Sequence, residues 1–499
     1  MKTLKRILVL LIALVLTASV FAGCGSANSN LDTSGGKTVN QSDSSAPGEK
    51  PVLKHLGEYG EFDPNIDPVA KALEEKTGYK IEYSMLPQES ADDKLNLEIS
   101  TGAEYDTITV TANQFATLSA QGALLDLGGL LDQYGPNIKT AIGEASWKTA
   151  KVDGKIYGIP QKGASDNINY ATIVRKDILD ELGLPVPTTI DEFYDTLKAI
   201  KDKKNMIPLT GLAFQDTIAS AFGSSTQWTD VDGELVYRAK LPGTKSCLEF
   251  LQKIYKEGLI DKEWPVNKTE NVTEKFTSGK AAMALFAWWD APSIKPAVLK
   301  NFPNAQLAII QPLKGVNGEQ GILRSTGIGY YAVIPKTSKH PEDAMKWYNL
   351  KLDLEIHKYF TIGKEGVDYT YTGGKYNPIL PAFGDDRNNS SWYLSGIDEK
   401  NYPEYWKARI RKNSDLADWY EQIMKDMDTV GKYEPLAFAP TLPIVSKNFQ
   451  SILQAFSDEC IKITAGEDIN TYDNFLEQLD KDGLADMTRE VNDWYKNEK

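Results

Sequence analysis

The chain has 499 residues, 41% of them hydrophobic, and a formal net charge of -14. That length exceeds what one core usually serves, and that hydrophobic share excludes a disordered chain. The acidic balance, with no Lys/Arg-rich run, excludes a nucleic-acid-binding face.

The first predicted element is a signal. "MKTLKRILVLLIALVLTASVFAGCGS" carries Lys2, Lys5 and Arg6, then an unbroken apolar run from Ile7 to Leu16, then small residues up to Ala22-Gly23-Cys24. Residues 1–23 therefore read as a secretory signal peptide. The Ala-Gly-Cys ending resembles a bacterial lipobox, which implies lipidation of Cys24 and anchoring through its acyl chains, palmitate among them. Phe21 stands where the lipobox pattern favours Leu. Residues 24–50 are rich in Ser, Gly and Asn, cannot bury a core, and read as a flexible tether. No second hydrophobic run is long enough to span a bilayer. The folded part is thus expected from near Pro51, outside the cytoplasmic membrane.

From there strand and helix signals alternate, which predicts α/β layers in at least two lobes. "VLKHLGEY", "YKIEYSML" and "YDTITVTA" read as strands. "DPVAKALEEKTG" reads as a helix ended by Gly78, and "ESADDKLNLEIST" as one ended near Gly102. "DGKIYGIPQ" is a turn followed by a short strand. In "LGLPVPTTIDEFYDTLKAIKDK", Thr189 and Glu192 form a capping box ahead of Ile190, Phe193, Leu197 and Ile200 at helical spacing. In "TSKHPEDAMKWYNLKL", Pro341 suits the first helical position, and Glu342 and Asp343 suit the positive end. The chain from about 440 onward reads as amphipathic helices.

Cys247 and Cys460 fall in amphipathic helical stretches. A disulfide between them is chemically open, but buried free thiols are the favoured reading. No C-x-x-C and no Cys/His cluster has zinc spacing, so neither a metal nor a cofactor is expected.

The segments add up in order: lipobox, tether, an early strand followed by "KALEEKTGYKIE", "DGKIYGIP", "IVRKDILDELGLPVPTTIDEF", "FTSGKAAMALFAWWDAPS", "GYYAVIPKTSKHPEDAMKWYNL" and "KEGVDYTYTGG". Together they resemble the extracellular solute-binding proteins of bacterial ABC importers. The likeness is to the family-1 sugar binders, and in particular to the large Gram-positive lipoproteins that serve oligosaccharide importers. The resemblance implies an α/β, two-lobed periplasmic-binding-protein-like fold, with crossing hinge segments, a ligand cleft between the lobes and extra C-terminal helices. It implies a first lobe from 51–165 and 330–375, and a second from 166–329 and 376–499. The crossings would lie in 159–174 and 325–334. The implied partners are an oligosaccharide, the permease subunits of the importer and the membrane, for a monomer on the extracytoplasmic face.

A sugar offers an apolar face and a rim of hydroxyls, so its site calls for aromatic plates and planar polar side chains. A strand sends Trp288 and Trp289 to opposite faces, so both reach a cleft only if the strand has ended before them. The resemblance implies that one or both stack on ligand, with Asp290 as a hydroxyl acceptor. One tryptophan is expected to anchor the strand end and the other to face the cleft. Glu58 and Tyr59 follow the first strand. Thr111 and Asn113 lie at a strand's carboxyl end, the usual ligand edge of an open α/β sheet. Asn167, Asn169 and Tyr170 lie at the first crossing, while Trp228 and Trp392 sit in polar loops. Arg175 matches a recurrent family position and also suits an ion pair with Asp177.

Several patterns are set aside. Gly327, Gly329 and Ala332 spell a dinucleotide fingerprint, but a strand follows where a helix is required. Asp232-Gly233 reads as a hairpin turn rather than part of a calcium loop. "KDKKNMIPLTG" is too short and basic for the calcium loop that some relatives carry. His55, His340 and His357 are scattered. The competing readings are a secreted polysaccharide-degrading enzyme, which needs two carboxylates about 5–10 Å apart, and a receptor for another solute such as a peptide.

Overall fold

The computed structural model describes residues 50–498, apart from 88–89, 165–166 and 212–215. The expected signal peptide, Cys24 and nearly all of the tether lie outside the described residues.

The strands of the two main sheets are, in chain order, β1 (Leu53–Glu58), β2 (Ile81–Leu86), β3 (Thr107–Thr111), β4 (Ile159–Lys162), β5 (Tyr170–Arg175), β6 (Ile207–Thr210), β7 (Ala281–Ala287), β8 (Leu307–Ile310) and β9 (Ile328–Val333). One sheet runs β2–β1–β3–β9–β4 and the other β8–β5–β7–β6. β1 pairs in parallel with β2 and β3, and β9 returns antiparallel between β3 and β4. β7 is parallel to β6 and antiparallel to β5. Each sheet is the middle layer of one lobe. Successive strand residues point to opposite faces, so Val174 and Met283 join one core cluster while Ile173, Ala284 and Phe286 join another. Burial on both faces explains why "AAMALFA" in β7 carries no charge.

Local chemistry sets the element ends. Asp67 accepts from Val69 N at 2.8 Å and starts the helix Pro68–Thr77, which Gly78 ends at φ 68°. Thr189 Oγ1 accepts from Glu192 N, and Glu192 returns the bond to Thr189 N. The Asp232-Gly233 pair, both at positive φ, turns the hairpin between Trp228–Val231 and Glu234–Tyr237. In "GIGYYA", everything after Gly327 belongs to strand β9. Arg175 grips Asp177 with two bonds of 2.9 and 2.6 Å. Cys247 and Cys460 are free and buried.

Two segments cross between the lobes and pair with each other. Residues 163–169 link β4 to β5, and 325–327 lead into β9. Asn167 and Ser325 exchange backbone hydrogen bonds, and Gly163 N donates to Gly327 O. Gly327 has φ 103°, and a Cβ there would meet Ala437 O at 2.6 Å, so only glycine suits this crossing.

The C-terminal part divides differently from the sequence expectation. Residues 376–499 were expected on the second lobe. Instead Phe383, Tyr393, Tyr402, Tyr405 and Ala408 pack with Val69, Leu73 and Tyr83 of the first lobe. The helix Tyr402–Ile410 is followed by the helix Ser414–Ile423, whose Trp419 and Tyr420 pack against Phe286 and Trp288 of the second. The chain therefore crosses a third time at 411–413. Amphipathic periodicity marks a helix's buried face but not the surface that covers it. Further on, the helices Pro443–Ala465 and Ala485–Glu498 bury Ile452, Phe456, Met487 and Val491 with Leu248 and Leu251.

Asp67 also ties the late helices to the early chain, because its second oxygen accepts from Asn389 Nδ2 at 2.7 Å. Asp67→Ala removes a cap and a long-range bond together. It is expected to cost about 2 kcal/mol in urea unfolding; an unchanged midpoint would mean that neither bond contributes.

Candidate functional site

Glu58 ends β1, at the carboxyl edge where open α/β sheets hold ligands. There it lines a cavity of about 300 Å³ together with Thr109, Gln161, Lys162, Tyr330, Trp392, Tyr402 and Trp406. Burial pushes the Glu58 carboxyl up, the nearby Asp92 adds to the rise, and the Gln114 side chain opposes it. Gln114 itself accepts from Thr111 N at 2.9 Å and donates to Asp92 Oδ1 at 2.7 Å. Burial and the charge on Glu58 also raise the Tyr330 hydroxyl.

The far wall comes from residues the sequence reading did not single out. Tyr402 is 1% exposed, yet among the described residues its hydroxyl has no hydrogen-bond partner, and the same holds for the buried Trp406 Nε1. Buried polar atoms without partners are uncommon, and here two of them belong to residues that line one cavity. The signal in "NYPEYWKARI" was three aromatics on one helix, which reads as ordinary core. Packing of that helix on the first lobe brings it to the cavity. Trp406 packs against core clusters of both lobes.

On the second lobe, β7 ends at Ala287, whose N–H donates to Asp290 Oδ2 at 2.9 Å. Residues Trp288–Asp290 form one 3-10 turn. The turn splits the tryptophan pair: Trp288 is 6% exposed and Trp289 44%. Trp288 meets Tyr420 edge-on at 5.3 Å and Trp406 at 6.2 Å. Trp289 lies edge-on to Trp288 at 5.1 Å and to Tyr170 at 5.5 Å. An aromatic seam thus runs from Trp406 at the first cavity to Tyr170 at a second. That second cavity, about 850 Å³, is lined by Tyr170, Trp264, Asn267, Lys268, Glu270 and Asp290, among others. Burial raises the Asp290 carboxyl against the pull of the Ala287 N–H.

A buried network holds the rim of the second cavity. Asp261 accepts from Thr210 Oγ1 at 2.8 Å, Asn267 Nδ2 at 2.8 Å and Lys275 Nζ at 2.7 Å. Burial pushes its carboxyl up, but these donors, Lys275 first, hold it below the usual carboxylate range. Among the described residues no group of three or more His, Cys, Asp or Glu is placed to hold a metal ion. No helix among them is long and apolar enough to cross a membrane.

The cavities bring together Glu58 and Trp392 on one side, and Tyr170 and Asp290 on the other, with the exposed Trp289 between. Other expected positions fall elsewhere. Tyr59 is 2% exposed and packs among His55, Tyr83 and Tyr393. Next to a cavity-facing Glu58, alternation sends it into the core. Trp228 is 1% exposed and meets Tyr237 edge-on at 5.3 Å, so it is core rather than loop surface. Thr111 caps the helix Ala112–Ala120, and Asn113 is exposed on that helix's first turn. Asn167 is buried, with Oδ1 accepting from the Tyr420 hydroxyl at 2.9 Å. Asn169 supplies its carbonyl to Trp288 N. These two hold the crossing in place.

Residues 59–350 match the family described as bacterial extracellular solute-binding protein. The chain is 26% identical over 382 residues to the polygalacturonan/rhamnogalacturonan-binding protein YtcQ of Bacillus subtilis, over 72% of this chain and 74% of that one. It is 24% identical to a carbohydrate ABC transporter substrate-binding protein of Streptococcus pneumoniae, over 100% of both chains. Its fold is similar to that of the S. pneumoniae substrate-binding protein FusA in complex with fructo-nystose, with a TM-score of 0.68 and 20% identity over 90% of this chain and 99% of that one. With a matched region that spans most of both lobes, the chain belongs to the bacterial extracellular solute-binding protein family.

Proposed function

We propose that the protein is a lipid-anchored receptor on the extracytoplasmic face of the cell membrane. It captures an oligosaccharide between its lobes and delivers it to the permease of an ABC importer, without catalysis. The observation that carries this reading is the aromatic seam between two cavities at the carboxyl edges of the two sheets. Aromatic faces suit the apolar faces of successive sugar rings, and the carboxylates Glu58 and Asp290 suit their hydroxyls. Cavities of about 300 and 850 Å³ fall in the range that encloses multi-ring ligands. A ligand that touches both lobes favours the closed state over the open one, and closure is what a permease can read. The carbohydrate-binding names of the relatives support the same ligand class.

A thermal-shift panel of oligosaccharides tests the reading. A sugar present at 100 times its dissociation constant is expected to add about 2.7 kcal/mol. Binding should be stoichiometric, with no product after prolonged incubation. A melting point unmoved by every sugar would remove the carbohydrate assignment, and turnover would replace the receptor with an enzyme.

A further inference from the structure

We propose that the first-lobe cavity accepts an uncharged sugar ring and rejects a uronate, which makes the ligand a neutral oligosaccharide. The inference rests on the receptor reading and names its substrate class.

Two carboxylates, not one, set the charge at the Glu58 end of the cavity. Glu58 lines it, Asp92 is the charged neighbour that raises Glu58, and the Gln114 side chain, which donates to Asp92 Oδ1 at 2.7 Å, opposes that rise. Among the described residues neither carboxylate makes an ion pair. Lys162 also lines the cavity and sets one positive charge against these two negative ones; its ammonium lies over the Phe438 ring at 5.7 Å. Among the described residues, the buried atoms of the lining side chains that lack a hydrogen-bond partner belong to neutral donors, the Tyr402 hydroxyl and the Trp406 N–H.

A sugar hydroxyl both donates and accepts, so one ring can donate to Glu58 while accepting from Tyr402 or Trp406. A uronate carboxylate accepts only, so it has nothing to offer Glu58. Placed beside Glu58 and Asp92 it adds a third negative charge to a partly desolvated site, which disfavours ionisation of all three. Discrimination of this kind comes from a repulsive element as much as from an attractive one. The second cavity continues the pattern, with Asp290 and Glu270 against Lys268.

Isothermal titration of the mature protein decides the matter. The probes are neutral tetrasaccharides (cellotetraose, xylotetraose, maltotetraose, galactotetraose and nystose) against tetragalacturonate and tetramannuronate. At least one neutral probe is expected to bind about 100-fold tighter than either uronate. Glu58→Gln, close in shape, is expected to weaken that neutral probe about tenfold and narrow the discrimination by a similar factor. Asp92→Asn, which alters the field on Glu58 from outside the cavity wall, should narrow the discrimination in the same direction. Melting curves of both variants establish that they fold. A uronate that binds the unaltered protein as tightly as the best neutral probe would overturn the inference and leave the sugar-receptor reading standing. Unchanged discrimination in both variants would also overturn it. If neither class of probe binds, both readings fall.

Discussion

Trp289→Ala is expected to weaken ligand affinity at least tenfold and leave the unfolding midpoint in place, whereas Trp288→Ala is expected to lower stability by about 3–5 kcal/mol. The two residues are adjacent and chemically identical, so the contrast comes entirely from their surroundings. Trp288 is buried among Phe286, Trp419 and Tyr420, and its removal leaves a cavity that the surrounding side chains can only partly refill. Trp289 is half-exposed and meets Tyr170 and Trp288 only edge-on, so truncation removes mainly an exposed aromatic surface. A tenfold loss corresponds to about 1.4 kcal/mol, the scale of one aromatic contact. Titration calorimetry and urea unfolding read the two effects separately. If both variants bound as the parent does, the seam would have no part in ligand capture.

Lys351→Met is expected to raise stability at neutral pH by about 1–4 kcal/mol. Lys351 is 2% exposed, donates to Ser395 Oγ at 2.6 Å and lies 4.1 Å over the Trp347 ring, and among the described residues no carboxylate pairs with it. Burial drives its ammonium well below the usual lysine range. A basic group depressed in the folded state binds its proton more readily in the unfolded chain, so stability rises with pH between the two values. The cost of Lys351 is therefore largest at low and neutral pH and vanishes as pH rises through the ordinary lysine value near 10.5. Methionine, similar in length and apolar, carries no such cost. Urea unfolding at pH 7 and pH 10 checks this, since the gain must shrink at the higher pH. A gain independent of pH would mean that packing, not desolvation, is responsible. The buried His55 and His357 act with the same sign: burial lowers them to about 3 and about 4. Stability is thus lost as pH falls from about 6.5 toward those values, and the charge of Lys351 adds to both shifts.

How much could be read in advance depends on how far each feature reaches along the chain. The Thr189–Glu192 box, the Asp232-Gly233 turn and the Gly78 stop each depend on residues within four positions, and a local pattern suffices for them. The site is different. Asp92, whose charge raises Glu58, is held by Gln114, which stands 22 residues beyond it. Tyr402 and Trp406 reach the cavity of Glu58 because the helix that carries them packs on the first lobe, more than 300 residues after Val69, Leu73 and Tyr83. Tyr59, chosen because it follows the first strand, and Trp228, chosen because it sits in a polar stretch, went to the core because alternation along the backbone and packing against distant rings outweigh those local signals.

By itself the sequence determined the family, the alternating α/β architecture, the strand-to-turn transition at "AWWD" and the aromatic and acidic residue types at the cleft. Only the tertiary structure decided which tryptophan is buried, which helix closes the first cavity and which carboxylates stand together. The reason is physical: periodicity and capping are short-range properties of the chain, whereas burial and the field at a carboxylate are set by side chains brought together from distant parts of it.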